Sequence, residues 1–531
     1  MGCTMIRLSL LALFILNFGA ITAGCGDDDQ GELGIAVQLV QLPGADAFAG
    51  VSFVRVSVEA DGKSVGPVKQ STFNAEGGSV SLDGIPFGEG RQVVVEGWSA
   101  TADGELGFLV SRGRSAPVTV NQGDKSTDVN VLIAPVNQFH SMTSFLDGNT
   151  QALAQGRVGH TVTKTARGEV LVIGGGTIES AESAWWGPEG FTSFSKSVEV
   201  ISERDQHISL HPQGMYFGRA WHTATPLSTG QVFLSGGYTN LNGQNQPLKR
   251  VEVYNPGLAN SIDVIKYDMQ VPRWGHTATL IEENSFTVLF VGGDDEGAAQ
   301  GTFEIWNPYS GTIAFGQLPD NTMRRHHEAT LFEVPGRGPA VLISGGESST
   351  GPLDSILVYD VTKNNMIVHP GKMATPRTQH TGVWVEGRNF VYLAGGYTSL
   401  DRQQASDAID VYNIVENTVG AQPGFSLNVA RGGHSAVKAF GNSVVFMGGT
   451  GQGGSTLDSL EIVYEYMDPN QGAYVIKVGQ SSNQGPVIVP FLPGARTGTQ
   501  SVFTDAGMVL TLGGIGAAGD LPTDLLLFNP F

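Results

Sequence analysis

The sequence predicts an all-β chain in which one unit, repeated seven times, closes into a ring behind a small separate β domain. Three observations carry this. Arg followed three residues later by His recurs roughly every 50 residues through the C-terminal part of the chain. An apolar run ending in a Gly pair follows each Arg, and a third apolar run, ending in an aromatic residue in most copies, follows each pair. The composition agrees. Of 531 residues 73 are Gly, roughly twice the usual share of about 7%, and abundant Gly between short apolar runs means many turns between many strands. A chain this long also exceeds what one core usually holds, so at least two domains are expected.

The chain begins with an address. Arg7 precedes the apolar run Leu8–Leu16, and small residues follow at Thr22-Ala23-Gly24 before Cys25. A positive charge, a short apolar core and small residues at the cut are the parts of a secretory signal, and the run is too short to span a bilayer. Thr22-Ala23-Gly24-Cys25 resembles the bacterial lipobox, with Thr22 where Leu is usual. The resemblance implies removal of residues 1–24 and lipidation of Cys25 by palmitate-type acyl chains, with 25–30 as a polar tether. Each buried methylene contributes ~0.8 kcal/mol, so several chains anchor stably. Gly26, rather than Asp, after the cysteine is similar to Gram-negative lipoproteins of the outer membrane. An ordinary secreted protein with a spare cysteine is the alternative.

Residues 31–135 alternate with period two. Val54, Val56 and Val58 alternate with Arg55, Ser57 and Glu59, and further runs lie at 35–39, 80–82, 92–95 and 128–133. Asp61-Gly62, Asp83-Gly84 and Asp103-Gly104 supply turns. About seven short strands in roughly 100 residues predict a β-sandwich. The segment Leu82–Gly88 with the strand after it resembles the immunoglobulin-like or carboxypeptidase-regulatory-like domains of bacterial surface lipoproteins, which implies a spacer.

The repeat occupies 138–531. Its Arg/His pairs are Arg157/His160, Arg219/His222, Arg273/His276, Arg324/His327, Arg377/His380 and Arg431/His434, and Arg496 continues the series with Thr499 in the His position. The glycine pairs begin at Gly174, Gly236, Gly292, Gly345, Gly395, Gly448 and Gly513. The third run ends at Tyr254, Trp306, Tyr359, Tyr412 and Phe528. Ile201 takes that place in the first copy, and Tyr464 falls one residue late in the sixth, which suggests a bulge. These features resemble the kelch repeat, so the expected fold is a seven-bladed kelch-type β-propeller. Because the last copy stops after its third strand, Phe139–Phe145 is expected to supply the fourth, with 138–146 closing the ring and removing a sheet edge.

A motif present in nearly every blade reports what a blade needs, so the Arg and His residues, Arg496 included, read as scaffold. The glycine pairs read as tight backbone positions, since no Gly-x-Gly-x-x-Gly opens a helix. Function is expected where the copies differ, on the face that collects the loops after the glycine pairs. Trp185, Trp186, Phe191 and Phe194 suit sugar stacking or a protein contact, with packing onto the protein as the alternative. Tyr238, Asp294, Asp295, Glu347 and Tyr397 should share that face. The acidic run Asp294–Glu296 has the ligand type for Ca²⁺, although a solvated acidic loop explains it better, so no metal is assigned. His140, His207, His211, His326 and His369 lie outside the repeat frame, and the strand spacing of His207 and His211 sets them too far apart to chelate.

Thirty basic against fifty acidic residues give a net charge of −20. No basic stripe offers itself to nucleic acid. The cysteines are Cys3 and Cys25 alone. The resemblance extends to galactose-oxidase-like copper enzymes, whose site needs a cysteine cross-linked to tyrosine, and to sialic-acid mutarotases. With no cysteine after Cys25 the copper site is excluded and no cofactor is expected. The reading that follows is a lipid-anchored envelope protein displaying a non-enzymatic module for a protein or glycan ligand. A carbohydrate-active enzyme of the mutarotase or oxidase-like propeller type is the alternative.

Overall fold

A computed structural model describes residues 34–530 except 43–44, 61–62, 67, 74–85, 122–125, 180–186, 188–189, 257–260, 296–300, 320–322, 469–472 and 481–488. Cys25, the signal region, Trp185 and Trp186 lie outside the described residues. All described elements are strands apart from two single-turn 3₁₀ helices, and none is a helix long and apolar enough to cross a membrane. Two compact units are present, one ending at Val136 with 143–150 added, the other comprising 137–142 and 151–530.

The first unit contains β1 (Gly34–Gln41), β2 (Phe53–Ala60), β3 (Lys63–Ser64), β4 (Lys69–Thr72), β5 (Gly88–Ala100), β6 (Leu106–Ser115), β7 (Val118–Val120) and β8 (Ser126–Pro135). The period-two pattern is read out directly. Val54, Val56 and Val58 turn inward to meet Val93, Val95, Val131 and Ile133, and Phe48 stacks on Phe73 at 5.0 Å. The described strands join in one sheet of order β1-β8-β6-β5-β2-β3, with β4 on β2 and β7 on β5, where the sequence suggests two packed sheets. The 13-residue β5 is the reason. It pairs with β2, β6 and β7, and its register shifts near Gly97 and between Gly88 and Arg91 let one sheet curl around its own core.

The second unit is a seven-bladed β-propeller. Seven antiparallel sheets follow one another, six of four strands and the first of five, where Phe191–Phe194 adds to Glu169–Ile178. The innermost strands are Val158–Lys164, Thr223–Pro226, Thr277–Glu282, Glu328–Val334, Thr381–Val385, Ser435–Lys438 and Gln500–Phe503. Each neighbours the next, and the last neighbours the first. The seventh blade takes its outer strand from β9 (Phe139–Ser141), which pairs with Leu526–Phe528. Phe139 packs on Phe528 at 5.0 Å, and the Met142 N–H still reaches the Leu525 carbonyl at 2.9 Å before the chain turns away. The closing strand is therefore shorter than Phe139–Phe145.

Apolar residues fill the wedges between blades, as where Leu171, Ile173 and Val198 meet Leu234, Tyr254 and Ile262. Tyr254, Trp306, Tyr359, Tyr412 and Phe528, which end third strands, are all buried. In the sixth blade no bulge intervenes. Val444–Met447 pairs with Leu460–Val463 in unbroken register, and Val463 fills the aromatic position.

The glycine pairs and arginines lock this ring. Both glycines of every pair have φ between 54° and 99°, a conformation that costs an L side chain ~1–2 kcal/mol. The second glycine donates its N–H to the carbonyl of the next blade's motif Arg at 2.8–3.0 Å in all seven blades. Each Arg side chain turns back into its own blade, as where Arg431 donates to the Gly448 carbonyl at 2.8 Å. Five of the seven also meet an acid two positions before the residue that ends the third-strand run, while Arg324 donates to the Ser355 hydroxyl at 2.9 Å. Arg157 pairs with Glu199, Arg219 with Glu252, Arg377 with Asp410 and Arg431 with Glu461, all buried. Arg273 stands 3.9 Å from Glu304, and Arg496 departs from the pattern by pairing at 3.0 Å with the partly exposed Asp524, four positions before Phe528. The other five acids accept the backbone N–H three residues before the Arg, at Ala154, Tyr216, Gln270, Ala374 and Asn428. Two buried charges are tolerable only when so fully hydrogen-bonded.

Candidate functional site

The motif histidines face the axis. Four of the six have Nε2 hydrogen-bonded to a threonine hydroxyl of the preceding blade: His222 to Thr161 (3.1 Å), His276 to Thr223 (3.3 Å), His327 to Thr277 (2.8 Å) and His434 to Thr381 (3.0 Å). Burial, reinforced by the adjacent Arg charge, pushes His160, His276 and His380 down to about 3 and holds His222, His327 and His434 well below the ordinary value. The ring of imidazoles is neutral. Among the described residues no group of three His, Cys, Asp or Glu converges to hold a metal ion.

The residue before each His builds a collar. Gly159, Trp221, Gly275, His326, Gln379, Gly433 and Gly498 all have φ between 51° and 66°. From Trp221 to Gly498 each N–H donates to the carbonyl of its counterpart in the preceding blade, at 2.8–3.2 Å, so a backbone chain of six hydrogen bonds circles the axis. Left-handed backbone is what aims each N–H at its neighbour. Glycine meets that demand freely, and in three blades a side chain is present nonetheless.

The collar encloses an axial cavity of 390 Å³ at the end where the innermost strands begin, walled by the collar, the histidines and the first residues of those strands. That is the small end of the range for ligand pockets, about 300–1,000 Å³. Trp221 and His326 meet edge to face at 5.2 Å across Gly275, and Trp274 packs on His326 at 5.4 Å. The amide of Gln379 has no hydrogen-bond partner at either its oxygen or its nitrogen.

The fourth blade also breaks the pattern one position after the His. There the blades carry Thr161, Thr223, Thr277, Glu328, Thr381, Ser435 and Gln500. Glu328 leaves His380 without the usual hydroxyl, and that ring bonds Ser344 instead at 2.8 Å. The Glu328 side chain lies over Gly382, where a Cβ would come within 2.6 Å of its Cγ. Glu328 lines the cavity and is partly exposed as a residue. It is nonetheless deep in the ring, and desolvation pushes it up to about 8, with a hydrogen bond from the Ala329 N–H the one opposing influence. His327 beside it and His380 are neutral and supply no cation.

The sequence-selected residues fall around this site unevenly. Asp294, Glu347 and Tyr397 are expected on the open loop face, yet all three are buried. Each follows its glycine pair and bridges to the residue after the motif Arg, which turns it inward. Arg325 pairs with Asp294 and with Glu347 (2.9 Å), Arg402 pairs with Glu347 (2.6 Å), and the two guanidiniums lie over Trp274 and Tyr397. Burial opposes ionisation of Glu347, but His326, Arg402 and Arg325 together hold its carboxyl below the usual range. These residues brace the collar from behind. Asp295 is partly exposed beside them. Phe191 is buried against Val158, Ala220 and Ile515 and stacks on Phe194 at 5.4 Å, which meets Tyr238 at 6.2 Å, so these rings pack on the propeller.

Trp221, His326, Gln379 and Glu328 face the cavity without having been singled out as ligand residues. A signal for them exists. Aligned on Arg-x-x-His, the collar position reads Gly, Trp, Gly, His, Gln, Gly, Gly. The buried acids Glu199, Glu252, Glu304, Asp410 and Glu461 were equally readable, as charges inside otherwise apolar runs.

No family model matches this chain. The solved structure titled "Structure of YjhT" aligns with 61% of this chain and 99% of its own, at 12% identity and a TM-score of 0.44. The seven-bladed architecture stands on the chain's own strand pairing.

Proposed function

We propose that the propeller takes a sugar of monosaccharide size into its axial cavity and moves a proton on it through Glu328. The observation that carries this is Glu328 itself, a carboxyl bordering the cavity in the place of a hydroxyl, with room made for it by Gly382. A group held near neutrality donates and accepts protons with comparable ease. Anomer interconversion of a reducing sugar needs little more. The Glu328 carboxylic acid protonates the ring oxygen as the bond from C1 to that oxygen breaks, and water takes the proton of the anomeric hydroxyl, leaving the open-chain aldehyde. Reclosure on the other face runs the same transfers in reverse and returns the proton to Glu328. The motif imidazoles His327 and His380 are neutral and so supply no cation to hold the carboxyl as an ion. A lipid on Cys25 would tether this activity to the bacterial envelope, with the outer membrane as its site, and Cys25→Ser should then release the chain from the membrane fraction.

The test uses the full chain purified in detergent and a panel of neutral reducing monosaccharides. Anomer exchange is followed by NMR, and binding by calorimetry. A bound sugar should exchange faster than in buffer, and Glu328→Gln should lower that acceleration by about 10²-fold or more with binding retained. Binding without acceleration returns the propeller to a non-enzymatic glycan-binding module. Absence of binding by every sugar removes the axial reading.

A further inference from the structure

We infer that Trp221, His326 and Gln379 are the ligand-contacting residues of the axial site, carried on a glycine collar as three deliberate departures from it. The inference rests on the axial reading above and goes further, naming which side chains choose the ligand. The backbone chain of hydrogen bonds runs through these three as it does through the glycines beside them. The backbone chain requires no side chain there. Four blades do without one, and the left-handed backbone makes each of the three a strained residue. Strain retained where a sterically easier residue would serve points to use.

Their chemistry suggests the ligand. Trp221 is partly exposed at the cavity and offers a flat apolar face. Gln379 lines the cavity with an amide whose donor and acceptor are both buried and unpartnered, a pair that two adjacent hydroxyls would satisfy. His326 is buried, wedged between Trp221 and Trp274, and it fixes the plane of the Trp221 ring. A flat face beside an amide selects a neutral pyranose with vicinal hydroxyls, such as glucose, galactose, mannose or their 2-acetamido forms.

Glycine substitution separates the roles. Gln379→Gly and Trp221→Gly should each weaken binding of the best sugar in that panel by about tenfold, while the thermal midpoint of Gln379→Gly stays equal to the parent's or rises, because strain is relieved. Gln379→Ala should lose the same affinity but unfold below Gln379→Gly, since it keeps the backbone demand. If the parent binds a sugar and the glycine variants bind it equally well, the collar assignment is wrong and the axial site survives. A Gln379→Gly variant clearly less stable than the parent would show that this side chain serves packing. A parent chain that binds none of these sugars overturns both readings together.

Discussion

Two rings of the propeller, a few ångströms apart along each motif, differ in how they treat their seven copies. The belt of arginines, acids and glycine pairs is nearly uniform. Arg157, Arg219, Arg377 and Arg431 each meet a buried acid from the third strand of their own blade, and every second glycine ties its blade to the next. The collar begins two residues after the same arginines, and it is uniform in backbone but not in side chain. Uniformity marks what each blade needs to stand against its neighbours. Departure at fixed backbone marks what the molecule does once it stands.

The largest test of that contrast is a break in the belt. Arg219→Ala strands Glu252 in a fully buried site, and removing one partner of such a pair typically costs about 3–5 kcal/mol. Chemical denaturation should report a loss of that order, against little change or a gain for Gln379→Gly. Equal losses at both sites would erase the distinction between the rings.

A second test uses pH. The six motif histidines are neutral when folded and titrate near 6.5 when unfolded. Between about 6.5 and 3 the unfolded chain therefore binds more protons, and stability falls as pH falls through that window. Each histidine contributes a slope of up to about 1.4 kcal/mol per pH unit. Glu328, pushed up to about 8, and Glu203, pushed up to about 7 chiefly by burial near Lys164 and Asp505, act in the opposite sense. They hold protons that the unfolded chain has lost above 4.5, so stability declines as pH rises toward 8. Six groups outweigh two below 6.5, and only the two acids remain above it. The thermal midpoint should therefore peak near pH 6.5, fall steeply on the acid side and gently on the alkaline side, with Glu328→Gln flattening the alkaline limb. A midpoint that does not change between pH 4 and 6 would contradict the neutral imidazole ring.

Much of the belt was legible in the sequence because repetition is visible without coordinates. Seven glycine pairs and Arg-x-x-His in one frame give blade number, order and the need for a closing strand near residue 139. What escaped were features that need three dimensions or a finer alignment. Two sheets are expected before the propeller, but register shifts in β5 join the described strands into one. Tyr464 looks like the late aromatic of a bulged blade, but Val463 takes the core position. The loop residues Asp294, Glu347 and Tyr397 look exposed because they vary, yet a bridge to the residue after each Arg turns them inward. The cavity residues were hidden by the motif itself, since Trp221, His326 and Gln379 occupy one of its unspecified positions and Glu328 the position after its last.

The most direct measurement is a crystal structure of the chain with the tightest-binding neutral monosaccharide of the panel. The account predicts the sugar in the axial cavity, its ring face on Trp221, a hydroxyl pair on the Gln379 amide and its anomeric end within hydrogen-bond reach of Glu328. A sugar held on the outer loops, with the collar untouched, would contradict it.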